Sequence, residues 1–306
     1  MAGLEGRVAV ITGAGRGIGA AVAKRLAAKR VSVVVNDLGV GLDGSGSDPG
    51  PATQTTDEII GAGGAAIADC GDIADFAVAA ALVDKALDRF GKLDIIVNAA
   101  GTIRDELLFR MAEDEWDDVI RVHLKGTFNL TRHAAAYWQS LGRATAQHRI
   151  INFTSAAGLL GSPSGPNYAS AKMGVVGLTY VAANTLARHG VTVNAIAPSA
   201  DTRMTHSALA KLSAGRPRRV EDVATVVAYL ASTQSDWCTG RVIGVSGTQV
   251  SLYCDPAVIR QIDSAQPWDL GSLGEALQHS FSGVPRPCEG VWEKVHQQIM
   301  SAGETP

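Results

Sequence analysis

Short, continuously apolar runs alternate with helical patterns from the start of the chain to about residue 245, and this alternation restricts the fold more than any other feature. RVAVI (7–11), VSVVV (31–35), residues 65–69, LDIIVN (93–98), RIINFT (149–154), VTVNAI (191–196) and RVIGV (241–245) have strand length. Between them, GIGAAVAKRLAAK (17–29) and residues 52–61, 74–90, 113–141, 167–189 and 220–231 read as helices. Strands that are apolar at successive positions are buried on both faces, as in a parallel sheet covered by helices on each side. The pattern predicts an α/β fold with a doubly wound, seven-stranded parallel sheet. Residues 250–306 break the rhythm, with Pro256, Pro267, Pro285, Pro287 and one helical signal near 289–300. The expected organisation is one domain over 1–250 and a C-terminal extension over 251–306 that packs on the domain or on a neighbouring subunit.

Composition agrees with such a fold. The chain has 306 residues, of which 46% are hydrophobic and 19% charged, enough apolar material for a sizeable core. Its 34 glycines are too many for a helical bundle and suit many tight strand–helix turns. The net charge is −3 and the cations are dispersed, so no nucleic-acid or anionic-membrane partner is expected. Cys70, Cys238, Cys254 and Cys288 lie far apart and form no CxxC pair. They read as reduced, structural thiols with no metal site. The start, MAGLEGRVAVITG, lacks a basic-then-apolar leader, and a cytoplasmic location is expected.

TGAGRGIG (12–19) joins the first strand to the first helix. Glycines there let the backbone approach a pyrophosphate, and the helix start supplies N–H donors and a favourable dipole. The spacing is GxxxGxG over Gly13, Gly17 and Gly19, with Gly15 as an extra, and its position makes this a dinucleotide turn of Rossmann type. The second strand ends at Asp37, about 20 residues further on, where a carboxylate can accept hydrogen bonds from ribose hydroxyls and repel a 2′-phosphate. NAD is therefore expected over NADP, although Arg16 within the turn is a cation that can assist a 2′-phosphate.

INFTS delivers Ser155 at the C-terminal end of a strand, the edge where open α/β sheets bind ligands. Tyr168 follows early in a helix, and Lys172 lies four residues on along the same face. A free tyrosine, with a pKa of about 10, is a poor base near neutrality. A nearby ammonium stabilises the phenolate. Ser155 can hold a substrate oxygen while Tyr168 exchanges its proton, and Lys172 can also reach a nicotinamide ribose.

Together TGAGRGIG, NAAG (98–101), Ser155 with YASAK, and IAPSADTRMT (196–205) resemble the short-chain dehydrogenase/reductase family over about residues 5–250. The resemblance implies NAD(P)-dependent hydride transfer between an alcohol and a ketone. It implies Tyr168 as acid/base, Lys172 as the cation that lowers its pKa and binds ribose, and Ser155 as the group that orients the carbonyl. Asn98 would border the adenosine site, Asp72 would meet the adenine, and Thr202 would contact the carboxamide. The cofactor-binding set also includes Ile18, Ile73, Ala99, Gly101 and Pro198. Two departures stand out. His123 occupies a position where many members carry an Asn that holds a relay water, and Ser199 follows Pro198 where Gly is common. The long helices near 113–141 and 167–189 resemble the family's dimer surfaces, so a homodimer or homotetramer is expected.

The Gly/Ser/Asp-rich insertion over 38–51, IRDELLFRM (103–111), VHLKGTF and GVWEKVHQQI (290–299) are similar to the (3R)-hydroxyacyl-CoA dehydrogenase units of peroxisomal multifunctional enzymes and their bacterial relatives. That resemblance implies NAD-dependent conversion of a 3-hydroxyacyl thioester to the 3-oxo compound. The alternatives are an NADPH-dependent 3-oxoacyl-[acyl-carrier-protein] reductase, a hydroxysteroid dehydrogenase and, outside enzymes, a nucleotide-sensing scaffold. For the extension, Trp268 and Trp292 suggest a lid.

Overall fold

A computed structural model describes residues 3–41, 46–142, 147–202 and 218–284. The expected helix near 289–300, with Trp292, and Cys288 lie outside these residues. The chain divides into two units, Met1–Tyr253 and Cys254–Pro306.

The first unit is built in the alternating order that the apolar runs predict. Its strands are β1 (Val8–Thr12), β2 (Ser32–Asn36), β3 (Ala66–Asp69), β4 (Ile95–Asn98), β5 (His148–Phe153), β6 (Val191–Ser199), β7 (Val242–Ser246) and β8 (Gln249–Leu252). Its helices are α1 (Gly17–Ala27), α2 (Gly50–Gly61), α3 (Phe76–Phe90), α4 (Glu113–Ile120), α5 (Gly126–Ser140), α6 (Ala156–Leu160), α7 (Pro166–Leu186) and α8 (Val220–Ala231). The sheet order is β3-β2-β1-β4-β5-β6-β7-β8. The direction of winding reverses between β1 and β4, which opens a crevice at their C-terminal ends.

Successive residues of each strand face opposite layers. Ala9, Ile11, Val33, Val35, Ile95 and Val97 pack with α1, α2 and α8. Val8, Val10, Val34 and Ile96 pack with α3, α5 and α7. Leu26, Leu82 and Leu130 are fully buried in these layers, each contributing about 1.5–3 kcal/mol by leaving water. Helix ends follow local chemistry: Asp75 caps α3 by accepting from the Ala77 and Val78 amides, and Gly91 ends it at φ 78°.

Two expectations need correction. The sheet has eight strands rather than seven, because β8 folds back antiparallel on β7, Ser246 facing Gln249 and Ile243 facing Leu252. Gly247, at φ 56°, supplies the positive dihedral that a two-residue hairpin turn needs at its first position. All four β8 side chains are exposed, so backbone pairing rather than an apolar pattern makes the strand. The expected helix over 113–141 is interrupted by a π-helical turn, Arg121–Lys125, between α4 and α5. In the second unit the helix found among the described residues is α9 (Leu270–Phe281), capped by Asp269.

At the N-terminal edge of the sheet Arg7 and Arg149 are buried against the end of α8. Arg7 Nη1 donates to the Ala231 carbonyl at 2.6 Å, and Arg149 Nε and Nη2 donate to the Ser232 carbonyl at 3.2 and 3.0 Å. Cations at a helix C-terminus meet its partial negative charge. Beside them His148 stacks on Trp138, ring centroids 4.7 Å apart.

Candidate active site

The crevice at the switch point is a cavity of about 370 Å³, lined by Gly13, Arg16, Gly17, Ile18 and Gly19 of the first turn. Asp37, Asp72, Ile73, Ala99, Gly101 and Thr202 also face it. The turn leaves no room for a side chain at Gly13 or Gly19. A Cβ on Gly13 would lie 2.8 Å from the Ala99 oxygen, and one on Gly19 would lie 2.1 Å from the Gly13 oxygen. Thr12 Oγ1 accepts from the Ala99 and Ala100 amides at 3.2 and 3.1 Å, tying β1 to the NAAG segment. No side chain among the described residues caps the first turn of α1.

Asp37 is held by backbone on both oxygens, accepting from the Gly15 and Gly39 amides at 2.8 Å each. Gly15 itself packs on that carboxylate, where its Cβ would lie 2.9 Å from Asp37 Cγ. Asp72 accepts from Arg121 Nη1 at 2.5 Å. Arg16 Nη1 lies 3.5 Å from the Val40 oxygen. Asn98, by contrast, turns into the core and donates to Asn152 Oδ1 at 2.9 Å, so β4 reaches the cavity through the backbone that follows it. Pro198 sits within β6, paired with Val245. The departure at Ser199 has a local use, since its hydroxyl accepts from Arg218 Nη1 at 3.1 Å. These features fit a dinucleotide: glycine backbone and uncapped helix amides suit a pyrophosphate, and the Asp37 and Asp72 carboxylates on the same cavity are acceptors suited to hydroxyl and amine groups.

Ser155 stands two residues past β5 and caps α6, its Oγ accepting from the Ala157 amide at 3.2 Å. It also hydrogen-bonds the Tyr168 phenol. Tyr168 is in the first turn of α7 and Lys172 is one turn on. Lys172 is 5% exposed, donates from Nζ to the Phe153 carbonyl at 2.7 Å and lies 5.5 Å from the Tyr168 ring centroid. Phe153 in turn lines the cavity. Burial pushes the Tyr168 phenol above its usual pKa, while the Ser155 hydrogen bond pulls the other way. Burial lowers Lys172 to about 7. Burial is the larger of the two effects on the phenol.

His123 lies in the π-helical turn, 2% exposed, with its ring edge-on to Tyr168 at 5.1 Å. Its Nε2 is 2.7 Å from the Thr102 oxygen and 3.1 Å from the Thr102 nitrogen. The shorter contact assigns the proton to Nε2, which leaves Nδ1 bare, and Nδ1 has no partner among the described residues. Burial, and secondarily the charge of Lys172, holds the imidazole well below its usual pKa. Gly101 makes the room, since a Cβ there would lie 2.4 Å from His123 Cε1.

Thr12, Arg121, Phe153 and Asn167 belong to the site and were not anticipated. Thr12 stands inside the glycine motif and was legible there. Phe153 acts through its carbonyl, and Arg121 through a turn whose shape leaves no mark in composition. No cluster of His, Cys, Asp or Glu suited to a metal occurs among the described residues, and no helix there is long and apolar enough to cross a membrane.

Comparisons with known proteins bear on the family. A family model described as short chain dehydrogenase matches residues 7–213. The chain is similar to hydroxyacyl-CoA dehydrogenase ChsB1 of Mycobacterium tuberculosis, 40% identical over 294 residues, covering 92% of this chain and 90% of that protein. It is 36% identical to the 3-oxoacyl-[acyl-carrier-protein] reductase FabG of Thermotoga maritima over 80% of this chain and 98% of that one. It is 40% identical to peroxisomal multifunctional enzyme type 2 of Drosophila melanogaster over 74% of this chain and 36% of that larger protein. Among solved structures, a short chain dehydrogenase from Mycobacterium avium superposes with a TM-score of 0.82 at 46% identity, covering 93% of this chain and 97% of that one. The chain belongs to the short chain dehydrogenases, oxidoreductases that act on a CH–OH group of a small molecule with a nicotinamide cofactor.

Proposed function

We propose that the protein oxidises a 3-hydroxyacyl thioester, a coenzyme A ester, to the 3-oxo compound with NAD, and that Tyr168 is its acid/base. The observation that carries the reaction is the contact set Ser155–Tyr168–Lys172 just past β5, next to a cavity that Phe153 and Asp37 both line. Similarity to a hydroxyacyl-CoA dehydrogenase along 92% of the chain supports the substrate class.

Ser155 Oγ donates to the substrate oxygen and fixes the carbinol against Tyr168. Tyr168 Oη takes the hydroxyl proton as the carbinol hydrogen leaves as hydride, and the C–O bond becomes a carbonyl. A bound oxidised nicotinamide would supply the hydride acceptor, and its positive charge would favour the phenolate. Lys172, at about 7, can hold or release a proton at Nζ near neutral pH. His123 stays neutral and serves as a fixed neighbour of the phenol rather than as a proton carrier. Gly13, Gly15, Gly17, Gly19 and Ile18 would hold the pyrophosphate side of the cofactor, Asp37 its adenosine ribose, and Asp72 and Ile73 the adenine. Ala99, Gly101 and Thr202 would lie along its nicotinamide half. Exposed Phe128, Met173 and Val181 on α5 and α7 support self-association through those helices, and a cytoplasmic location completes the reading.

A second reading, an NADPH-dependent 3-oxoacyl reductase, is favoured by Arg16 on the cavity wall beside Asp37. Steady-state kinetics with NAD and NADP on 3-hydroxyacyl-CoA esters of graded length separates the two. Preference for NADP, with faster turnover of an acyl-carrier substrate, would overturn the first reading.

A further inference from the structure

α7 begins in an unusual way. Its N-cap is Gly165, at φ 65°, which has no side chain to satisfy the first-turn amides, and Pro166 follows at the first helical position. The next residue, Asn167, is 0% exposed and stands immediately before Tyr168. Its Oδ1 accepts from the Tyr168 amide at 2.7 Å, doing the work of the missing cap. Its Nδ2 donates to two separate segments, the Arg104 carbonyl of the loop after β4 and the Glu115 carbonyl of α4, each at 2.9 Å. Both Nδ2 hydrogens are thereby used. A third link, from the Gly165 amide to the Glu106 carbonyl at 2.9 Å, joins the same loop to the same helix start. Arg104 and Asp118, on these two segments, line the cavity.

We infer that Asn167 is a positioning residue for Tyr168, fixing the first turn of α7 against the two segments that wall the substrate side of the cavity. The inference rests on the proposed role of Tyr168 as acid/base. A tyrosine ring has two soft torsions, so its oxygen is only as well placed as its Cα, and Asn167 sets that backbone from the adjacent position. A displacement of roughly 1 Å at a reacting group can lower turnover about 100-fold.

The test uses the full chain loaded with NAD, comparing Asn167→Ala, Asn167→Ser and Tyr168→Phe with the parent. Two readouts are taken: kcat on 3-hydroxyacyl-CoA, and the phenolate ultraviolet difference spectrum against Tyr168→Phe, which follows Tyr168 without turnover. Asn167→Ala is expected to lower kcat roughly 30- to 100-fold with NAD affinity within about twofold of the parent. Its Tyr168 titration should move toward that of an ordinary tyrosine as the helix start loosens. Asn167→Ser keeps an oxygen for the Tyr168 amide but not both donors, so its loss should be smaller. If the alanine variant does not fold, the serine variant is read by the same criteria. An unchanged titration with kcat within threefold of the parent overturns the inference. So does a fall in kcat that only matches the lost fraction of NAD-binding protein. Should Tyr168→Phe retain full turnover, the acid/base reading itself fails; if that variant is inactive while Asn167→Ala is normal, the positioning role alone fails.

Discussion

Replacing Gly101 by alanine would set a methyl carbon 2.4 Å from His123 Cε1 and 3.2 Å from both ring nitrogens. Carbon atoms in contact sit about 3.5–4.0 Å apart, so the imidazole or the backbone must yield by roughly 1 Å. The ring has little freedom, being held by Thr102 at Nε2 and abutting Tyr168 edge-on at 5.1 Å. Overpacking a buried site costs about 1–3 kcal/mol, and disturbing the Nε2 hydrogen bond adds about 1 kcal/mol. Gly101→Ala should therefore lose about 2–4 kcal/mol, a fall in Tm of roughly 5–10 °C for a domain of this size. His123→Ala removes the obstacle together with a buried imidazole nitrogen that has no partner among the described residues, so the double variant should recover at least about 1 kcal/mol relative to the sum of the single losses. Urea unfolding of the four proteins without cofactor measures that coupling. Additivity within about 0.5 kcal/mol would show that the methyl is accommodated elsewhere and that Gly101 is not reserved for His123.

Three further outcomes are expected. His148 is buried with both ring nitrogens unpartnered among the described residues, and burial, against the attraction of Asp94 and with Arg7, Arg149 and Lys92 adding to it, lowers its pKa from 6.5 to about 4. The unfolded chain thus binds more protons in that window, so stability is full above pH 6.5 and falls as pH drops toward 4. The loss is roughly 2 kcal/mol after discounting for screening around the neighbouring charges, and urea midpoints of His148→Phe should be flatter across the window. Lys172→Met should abolish most turnover, about 100-fold or more, while thermal melts at neutral pH show no loss of stability, because the substitution removes a buried group for which charge is unfavourable. Asp37→Ala should weaken NAD more than NADP, shifting the ratio of kcat/KM values about tenfold or more, and an unshifted ratio would remove Asp37 from cofactor selection.

Much of this molecule is written in local patterns, and those parts were legible. Strand runs such as VSVVV and the glycine turn specify themselves within a few residues, because burial on both faces and close backbone approach demand particular side chains in sequence. Ser155, Tyr168 and Lys172 were readable for the same reason, being a strand end and one helical face. What escaped notice depends on distant partners. The strand Gln249–Leu252 has four exposed side chains and exists because β7 offers a free edge. Asn98 reads as a site residue, yet its amide finds Asn152 on the adjacent strand and turns inward. Asn167 looks like a polar neighbour of Tyr168 until the loop after β4 and α4 are brought to it. The burial that raises the Tyr168 phenol is likewise invisible in YASAK, because it is set by the elements packed around that residue.

The turn at Arg121–Lys125 has a consequence for insertions and deletions. A π-helical turn holds one residue more than an α-helical turn, and counted on a 3.6-residue repeat from buried Val119 the buried stripe Thr127, Leu130, Ala134 and Trp138 falls late by about 0.2 to 1 residue. The π-helical turn absorbs that surplus residue, and both flanking helices keep their inner faces toward the core. An in-frame loss of one codon here would close the turn into ordinary helix and leave α4 and α5 docked, whereas the same loss within α5 would rotate Trp138 out of its place. The casualties would be Arg121 at Asp72 and His123 at Thr102. The wider turn is what carries Arg121 to Asp72 and His123 to Thr102.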